Sequence, residues 1–351
     1  MPVLRTPDRG TAGGAAAVAA GLAAVLVLAG CGSPGTPGAA AEPDDEGTVA
    51  GAPRDEVSGD PDTWPLTGLP VERGASVQDR PVLVAKVDNT SESAPQVGLG
   101  AADLVVEEMV EGGVTRLAAF YYSTVPDDVG PLRSMRASDI GIVSPVGASM
   151  VTSGAAAVTI TRLRDADVSF YEEEGGTGFS RDASRPAPYN LFADLETVAD
   201  EAETTPGRPP DYLPFSGSGE LRGGQPATSI QARFSPSHTT TWSYADGGYV
   251  DDGGLAGSDD RFPTDTVLVL RVEVGDAGYR DPAGNPVPET KLVGSGDALL
   301  FHGGRLVRGT WTKKALDAPL QLRTRAGALG VPRGHTWIEL VPADGGDVTF
   351  D

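Results

Sequence analysis

The residue types best equipped for chemistry gather between Asp103 and Asp139, in the stretch DLVVEEMVEGGVTRLAAFYYSTVPDDVGPLRSMRASD. Glu107, Glu108 and Glu111 follow an apolar run, and Arg116, Arg133, Arg136 and Asp139 come after it. Two kinds of chemistry suit them. Asp88, Glu107 and Glu111 can supply an acid and a base for glycan cleavage, which needs two carboxyl groups across a sugar bond. The planar guanidinium groups of Arg133, Arg136 and Arg185 suit two-pronged capture of a carboxylate or phosphate, with Asn89 and Asn190 as further ligand contacts. Such anions are abundant in peptidoglycan stems and wall polymers. A plainer reading is an ion network in which Glu107 and Glu111 pair with Arg116, Arg133 or Arg136. It is favoured over catalysis, because acids beside arginines stay ionised and transfer protons poorly.

The elements that hold these groups follow from the spacing. Leu104 to Val106 and Val114 to Tyr122 read as two strands of a hairpin around Gly112-Gly113, so Glu107 and Glu111 share one face and Glu108 points to the other. Arg133, Arg136 and Asp139 recur every three residues, which predicts one face of a helix after Gly130-Pro131. Val82 to Val87 predicts a core strand. Ala148 to Thr152 predicts a short strand, Ala155 to Asp165 a helix with Ile160 and Leu163 inward, and Leu191 to Ala202 a second helix. In the second half, Thr239 to Tyr244, Thr266 to Val274, Ala298 to His302, Arg305 to Thr310 and Thr336 to Val341 predict strands, with a two-glycine hairpin at His302-Gly303-Gly304-Arg305.

Other chemistries find little support. The formal net charge of −22 argues against a nucleic-acid binder, since phosphate binding needs a basic footprint. The glycine-rich stretch Gln96-Val97-Gly98-Leu99-Gly100 has no GxGxxG or P-loop pattern, there is no GxSxG elbow, and Ser134 and Ser153 have no histidine in their half, so no cofactor and no serine hydrolase are expected. His238, His302 and His335 lack metal-ligand spacing and suit turns or surface; Glu172 to Glu174 suits a solvated run, so no metal is expected. Trp242, Trp311 and Trp337 suit core positions, and Trp64 the domain edge.

The N-terminus states where the protein works. Arg5 and Arg9 precede an apolar Ala/Val/Leu stretch too short for a stable span, ending in Leu28-Ala29-Gly30-Cys31, which resembles a bacterial lipobox. Cys31 is the sole cysteine, so no internal disulfide is possible. The expectation is a signal peptide over 1–30, acylation (palmitate) at Cys31, and a body on the extracytoplasmic face of the cell membrane. The segment 31–63 is acidic and rich in Pro and Gly, which predicts a disordered tether. Residues 64–203 then predict an N-terminal α/β domain, 204–228 a linker, and 229–351 a β-rich C-terminal domain.

Several ordered motifs, PLTGLPV (65–71), RPVLVAKVDN (80–89), ADLVVEEMVEGGVTR (102–116), GPLRSMR (130–136), SRPAPYNL (184–191), LVGSGDALLFHGGRLVRGTW (292–311) and GHTWIELVP (334–342), resemble the YerB-like lipoprotein family, covering 64 to 350. The resemblance implies an α+β fold, a layered α/β sandwich domain followed by a β-rich domain, and it implies no activity, the family being of unknown function. Tyr189 stands where the family has a histidine, and Thr152-Ser153-Gly154-Ala155 where it has a His-x-Gly-Gly type of stretch. Histidine chemistry at those places is absent from this chain. The expectation is a membrane-anchored binding or scaffolding module of the cell envelope rather than an enzyme, with an Arg/acid-lined cleft in the N-terminal domain and a cell-wall polymer or envelope protein as partner. The alternative is a carboxylate-dependent hydrolase of envelope glycans.

Overall fold

Long apolar runs such as Val82 to Val87 and Thr336 to Val341 leave few polar faces, and strands of that kind are stable only where both sides are covered. The computed structural model describes residues 60–72, 80–203, 207–217, 221 and 223–351, and places such strands at its centre. In the first half lie β1 (Leu83–Asp88), β2 (Leu104–Met109), β3 (Thr115–Tyr121), α1 (Asp139–Val143), β4 (Ser149–Thr152) and α2 (Ala157–Asp165). Then come β5 (Phe170–Glu172), β6 (Phe179–Arg181), β7 (Leu191–Ala193) and α3 (Leu195–Glu201). The second half contributes β8 (Gln225–Pro226), β9 (Ser229–Ser235), β10 (His238–Ala245), β11 (Gly248–Asp251), β12 (Thr266–Arg280) and β13 (Pro286–Lys291). It ends with β14 (Gly294–His302), β15 (Arg305–Lys313), β16 (Gln321–Thr324), β17 (Gly327–Ala328), β18 (Thr336–Pro342) and β19 (Asp347–Phe350).

The fold is mostly β. One large mixed sheet has the order β17-β16-β15-β14-β12-β18-β2-β3-β1-β4-β5, with β13 on the outer part of β12 and β8 on β15. Strands from both halves meet in it at β2 and β18, which run parallel with Glu107 beside Glu339. A four-stranded sheet, β11-β10-β9-β19, packs on one face, and β6-β7 form a separate pair. Between the two sheets, Val105, Val267, Val269 and Phe301 meet Ile230, Phe234 and Trp242. The opposite face of the large sheet carries Val84, Val106, Phe120 and Ile338 under Ile140, Leu163 and Tyr212. Each such buried side chain contributes about 1.5–3 kcal/mol relative to exposure, so sheet sides and covering layers hold one another in place.

Several expected elements form where the sequence put them: the β2-β3 hairpin, the strands near 82–87 and 149–152, and the helix ending at Asp165. Others differ. Residues 131–136 are not helical; α1 starts only at Asp139, whose carboxylate accepts from the Arg136 backbone N–H at 2.6 Å. Gly130-Pro131 and a bridge from Leu132 to Val87 hold that segment extended. Leu191 lies in strand β7, and the helix starts after Asp194, which caps it by accepting from Thr197 N. Strand β2 stops at Met109, so Glu111 sits in a one-turn 3-10 segment with Gly112 at φ 75° and does not share a face with Glu107.

The hairpin from β14 to β15 pairs His302 with Arg305, and Gly303 and Gly304 take φ values of 59° and 70°. A Cβ on Gly304 would meet the Tyr244 ring at 3.1 Å, whereas one on Gly303 meets nothing. Gly303→Asn is therefore expected to be nearly neutral, and Gly304→Ala to cost about 1–2 kcal/mol in urea unfolding. Equal costs at both positions would refute the contribution of the Tyr244 contact.

Candidate functional site

Polar residues inside a sheet covered on both sides need partners close by, and alternation along the central strands sorts them into two clusters on opposite faces. The cluster on the helical side holds most of the residues singled out from sequence. Lys86 Nζ lies 2.5 Å from Glu108 Oε1 and 2.7 Å from Asp139 Oδ1, and all three side chains are fully buried. Burial pushes the Asp139 carboxyl up despite the Lys86 charge. Arg136 holds Glu111 with two nitrogens, at 2.8 and 2.5 Å. Burial works against the charge of Glu111, and Arg136 outweighs it, drawing the carboxyl below its ordinary range. Arg133 Nε sits 3.0 Å from Asp88 Oδ2 and stacks over Tyr189 at 5.3 Å. Arg116 donates to the Ser134 carbonyl at 2.6 Å; burial and the charges of Arg136 and Arg133 lower it to about 10, which leaves it cationic at neutral pH.

Arg185 is bound elsewhere in the network. It donates to the carbonyls of Ser93 and Pro95 at 3.0 and 2.7 Å, pairs with Asp182 at 3.3 Å, and stacks over Phe192. Asn190 accepts from Arg181. Asp88 and Glu111 are thus tied to arginines, and Glu107 faces the other side of the sheet. The three acids expected as a hydrolytic set are not gathered around one gap.

The second cluster lies where the small sheet covers β2 and β18. Glu107 Oε1 accepts from Thr115 Oγ1 at 2.7 Å, His238 Nε2 at 2.9 Å, Thr240 Oγ1 at 3.0 Å and Asn89 Nδ2 at 3.1 Å. Its Oε2 accepts from Thr240 Oγ1 at 3.1 Å and from the Trp337 indole at 3.2 Å. Beside it, Glu339 Oε1 accepts from the Trp242 indole at 2.8 Å. Glu339 Oε2 accepts nothing, which suits a carboxylic acid that gives its proton to Glu107. Burial opposes ionisation of both. The donors on Glu107, His238 foremost, outweigh it and pull its pKa below the ordinary value, while the Glu107 charge adds to burial and drives Glu339 well up. One carboxylate and one carboxylic acid result, the usual outcome for two acids forced together. His238 loses by burial but gains more from Glu107, so its pKa rises.

Two cavities open beside this seam. One, of about 410 Å³, is walled by Trp242, Tyr249, Phe262 and Trp337, with Asp251 and Asn89 among its polar lining. The other, of about 350 Å³, is lined by His238, Thr240, Ser91 and again Asn89 and Asp251. Asp251 therefore stands on a shared wall, and burial together with the Glu107 charge raises it to about 7. Of the residues expected to touch a ligand, Asn89 lines these cavities. His238 corrects the expectation that the histidines serve only turns or surface. Among the described residues, no group of three His, Cys, Asp or Glu could hold a metal ion.

Two family models match the chain: the N-terminal domain of a protein of unknown function (DUF3048) over residues 66–208, and the C-terminal domain of the same family over 230–338. The chain belongs to the DUF3048 family. It is 25% identical over 295 residues to the Bacillus subtilis (strain 168) protein named "Putative lipoprotein YerB", covering 79% of this chain and 86% of that protein. The crystal structure of YerB from Bacillus subtilis is similar with a TM-score of 0.68 at 22% identity, over 82% of this chain and 99% of that one, which is a likeness of fold. The family resemblance seen in the motifs is thus established. The junction of β2 and β18 joins the first matched segment to the strand on which the second one ends, Glu339 standing one residue beyond it.

Sequence patterns single out Glu107 but not Glu339, His238 or Asp251. The one available signal is an acid inside Trp337-Ile338-Glu339-Leu340-Val341, since a charge in a run otherwise buried on both faces needs a partner. Replacing the two glutamates separates their roles. Glu107→Gln leaves four donor groups and His238 without their anion and is expected to cost about 2–4 kcal/mol in denaturant unfolding at pH 7. Glu339→Gln is expected to leave stability unchanged or raised at pH 7, because the fold no longer has to return a proton to a group that ionises in the unfolded chain. Its advantage over the wild type should shrink as pH falls toward the ordinary value of 4.5. Equal losses for both variants would contradict the unequal sharing of the proton.

Proposed function

We propose that this chain is an extracytoplasmic lipoprotein, anchored to the cell membrane through an acylated Cys31, that binds a small envelope-derived ligand in the aromatic cleft beside Trp242 and Trp337. The cleft is the observation that carries the binding role. Its volume of about 410 Å³ falls in the range of small-molecule sites, and it pairs apolar walls with a few directed polar groups. The anchor is supported by the charged and apolar grammar of residues 1–31 and by the lipoprotein name of the Bacillus subtilis relative. Cys31 lies outside the described residues, and none of the helices described is long and apolar enough to cross a membrane.

Binding fits the geometry better than glycan hydrolysis. Asp88 and Glu111 are held by Arg133 and Arg136, and Glu107 is fully buried beneath its donors, so none of the three presents a free carboxyl to a sugar bond. The same ion pairs occupy the arginines that would capture an anion. The ligand site accordingly falls at the cleft by Asn89 and Asp251, with the arginine network holding the segment 130–139 against the sheet.

Two measurements test this proposal. Metabolic labelling with radioactive palmitate is expected to mark the wild type and not Cys31→Ala, which should leave the membrane fraction; an unlabelled wild type overturns the anchor. In the unanchored Cys31→Ala background, Leu255→Trp places a large ring in the cleft, and should abolish retention of the protein on washed envelope fractions while the melting temperature stays within a few degrees. Undiminished retention by a folded Leu255→Trp protein overturns the cleft as the binding site.

A further inference from the structure

The chemistry of the cleft restricts what can occupy it. Four aromatic rings wall it: Trp242 and Trp337 meet edge to face at 5.2 Å, and Phe262 lies 5.8 Å from Trp337. The negative faces of such rings attract cations, and a carboxylate alongside strengthens the attraction. Asp251 is that carboxylate. Among the described residues its side chain has one hydrogen bond, from the Gly253 backbone N–H at 2.9 Å, and no lysine, arginine or histidine forms an ion pair with it. Glu107 has His238, Asp265 has His335 at 3.4 Å and Asp88 has Arg133, while Glu339, which also lacks a cation, is fully buried and keeps its proton, so Asp251 is the acid on the cleft wall left for a cation to meet. It lies on the wall common to both cavities, so a group entering either one reaches it.

The surroundings leave a local shortage of positive charge. The groups acting on Asp251 are Glu107, Asp252 and His238, and Asp251 in turn acts on Glu339. Asp246, Arg261 and Asp265 also line the larger cleft. Acids outnumber cations around the aromatic walls, and the chain as a whole carries −22, which steers cations toward it and anions away.

We propose that the cleft takes an organic cation, with its ammonium group against Asp251 and its apolar body between Trp242, Tyr249, Phe262 and Trp337. This rests on the proposed binding role of the cleft and names the class of ligand. Burial and the Glu107 charge leave Asp251 partly protonated near neutral pH when the cleft is empty; an arriving ammonium group favours the ionised form, so binding releases a proton and strengthens as pH rises. Protonation of His238 on acidification places a positive charge beside the same wall and weakens binding in the same direction.

Tryptophan fluorescence reports occupancy, since Trp242 and Trp337 line the cleft. The full chain is titrated with benzylammonium, benzyl alcohol and benzoate, three probes of one shape and different charge. At pH 8, benzylammonium is expected to bind about tenfold more tightly than benzyl alcohol and benzoate more weakly than either, as expected for one pairing of about 1.4 kcal/mol. At pH 6 the advantage of the cation should fall to about twofold, following ionisation of a group with a pKa near 7. Asp251→Asn should abolish the preference at pH 8 while retaining benzyl alcohol binding, which also shows that the variant is folded. Benzyl alcohol binding as tightly as benzylammonium to the wild type would overturn the cation and spare the cleft. If none of the three probes changes the fluorescence, both the cleft and the cation are refuted.

Discussion

The carboxylate of Glu107 anchors the junction on which this structure depends. It sits at the meeting of β2 and β18, fully buried, and gathers donors from β1's end, β3, β10 and β18. A buried carboxylate without such donors would carry a desolvation cost of several kcal/mol, so the donors are obligatory and each one fixes the position of the element that brings it. Thr240 and His238 dock the small sheet at one register, and the Trp337 indole locks the aromatic wall. Apolar packing alone would tolerate sliding between the sheets; five directed donors on one carboxylate do not.

The same requirement explains the division of labour between the two faces of the large sheet. On the helical side, each acid sits against a cation: Glu108 and Asp139 share Lys86, Glu111 has Arg136, and Asp88 has Arg133. That side is electrically quiet, and its lost hydration is recovered in ion pairs. On the side of the small sheet, acids exceed cations. Glu107 has one imidazole, Glu339 has an indole, and Asp251 has a backbone amide. Protons rather than arginines balance the excess: Glu339 keeps one, and Asp251 holds one for part of the time near neutral pH. A site that balances charge with protons can exchange them for another cation.

Much of the scaffold was legible because its signals are local. The strand at 82–87, the hairpin at Gly303-Gly304 and the run 336–341 each carry their own pattern of β-branched residues and glycines, and each forms within a residue or two. At 131–136 a threefold spacing of charged residues mimics a helix face, but Asp88, Glu111 and Lys86 hold Arg133, Arg136 and Asp139 respectively, and an extended segment bridged to Val87 satisfies them all. The seam was illegible for a different reason. Glu107 and Glu339 are 232 positions apart in the numbering and become neighbours only because β18 inserts between β12 and β2. No window on the sequence contains both.

That insertion also decides what kind of site this is. A parallel strand placed between the halves brings Glu339 against Trp242 of β10 and Trp337 against Glu107 of β2, so the aromatic wall and the acids beneath it draw on both halves of the chain. Trp242 and Trp337 are held through their indole N–H groups by the two glutamates, and their ring faces are therefore fixed before any ligand arrives. Rings fixed in this way lose little freedom on binding, which favours a small rigid ligand over a flexible polymer. The glutamates act on a ligand through the walls they hold, and Asp251, on the rim they leave short of positive charge, is the group that meets it.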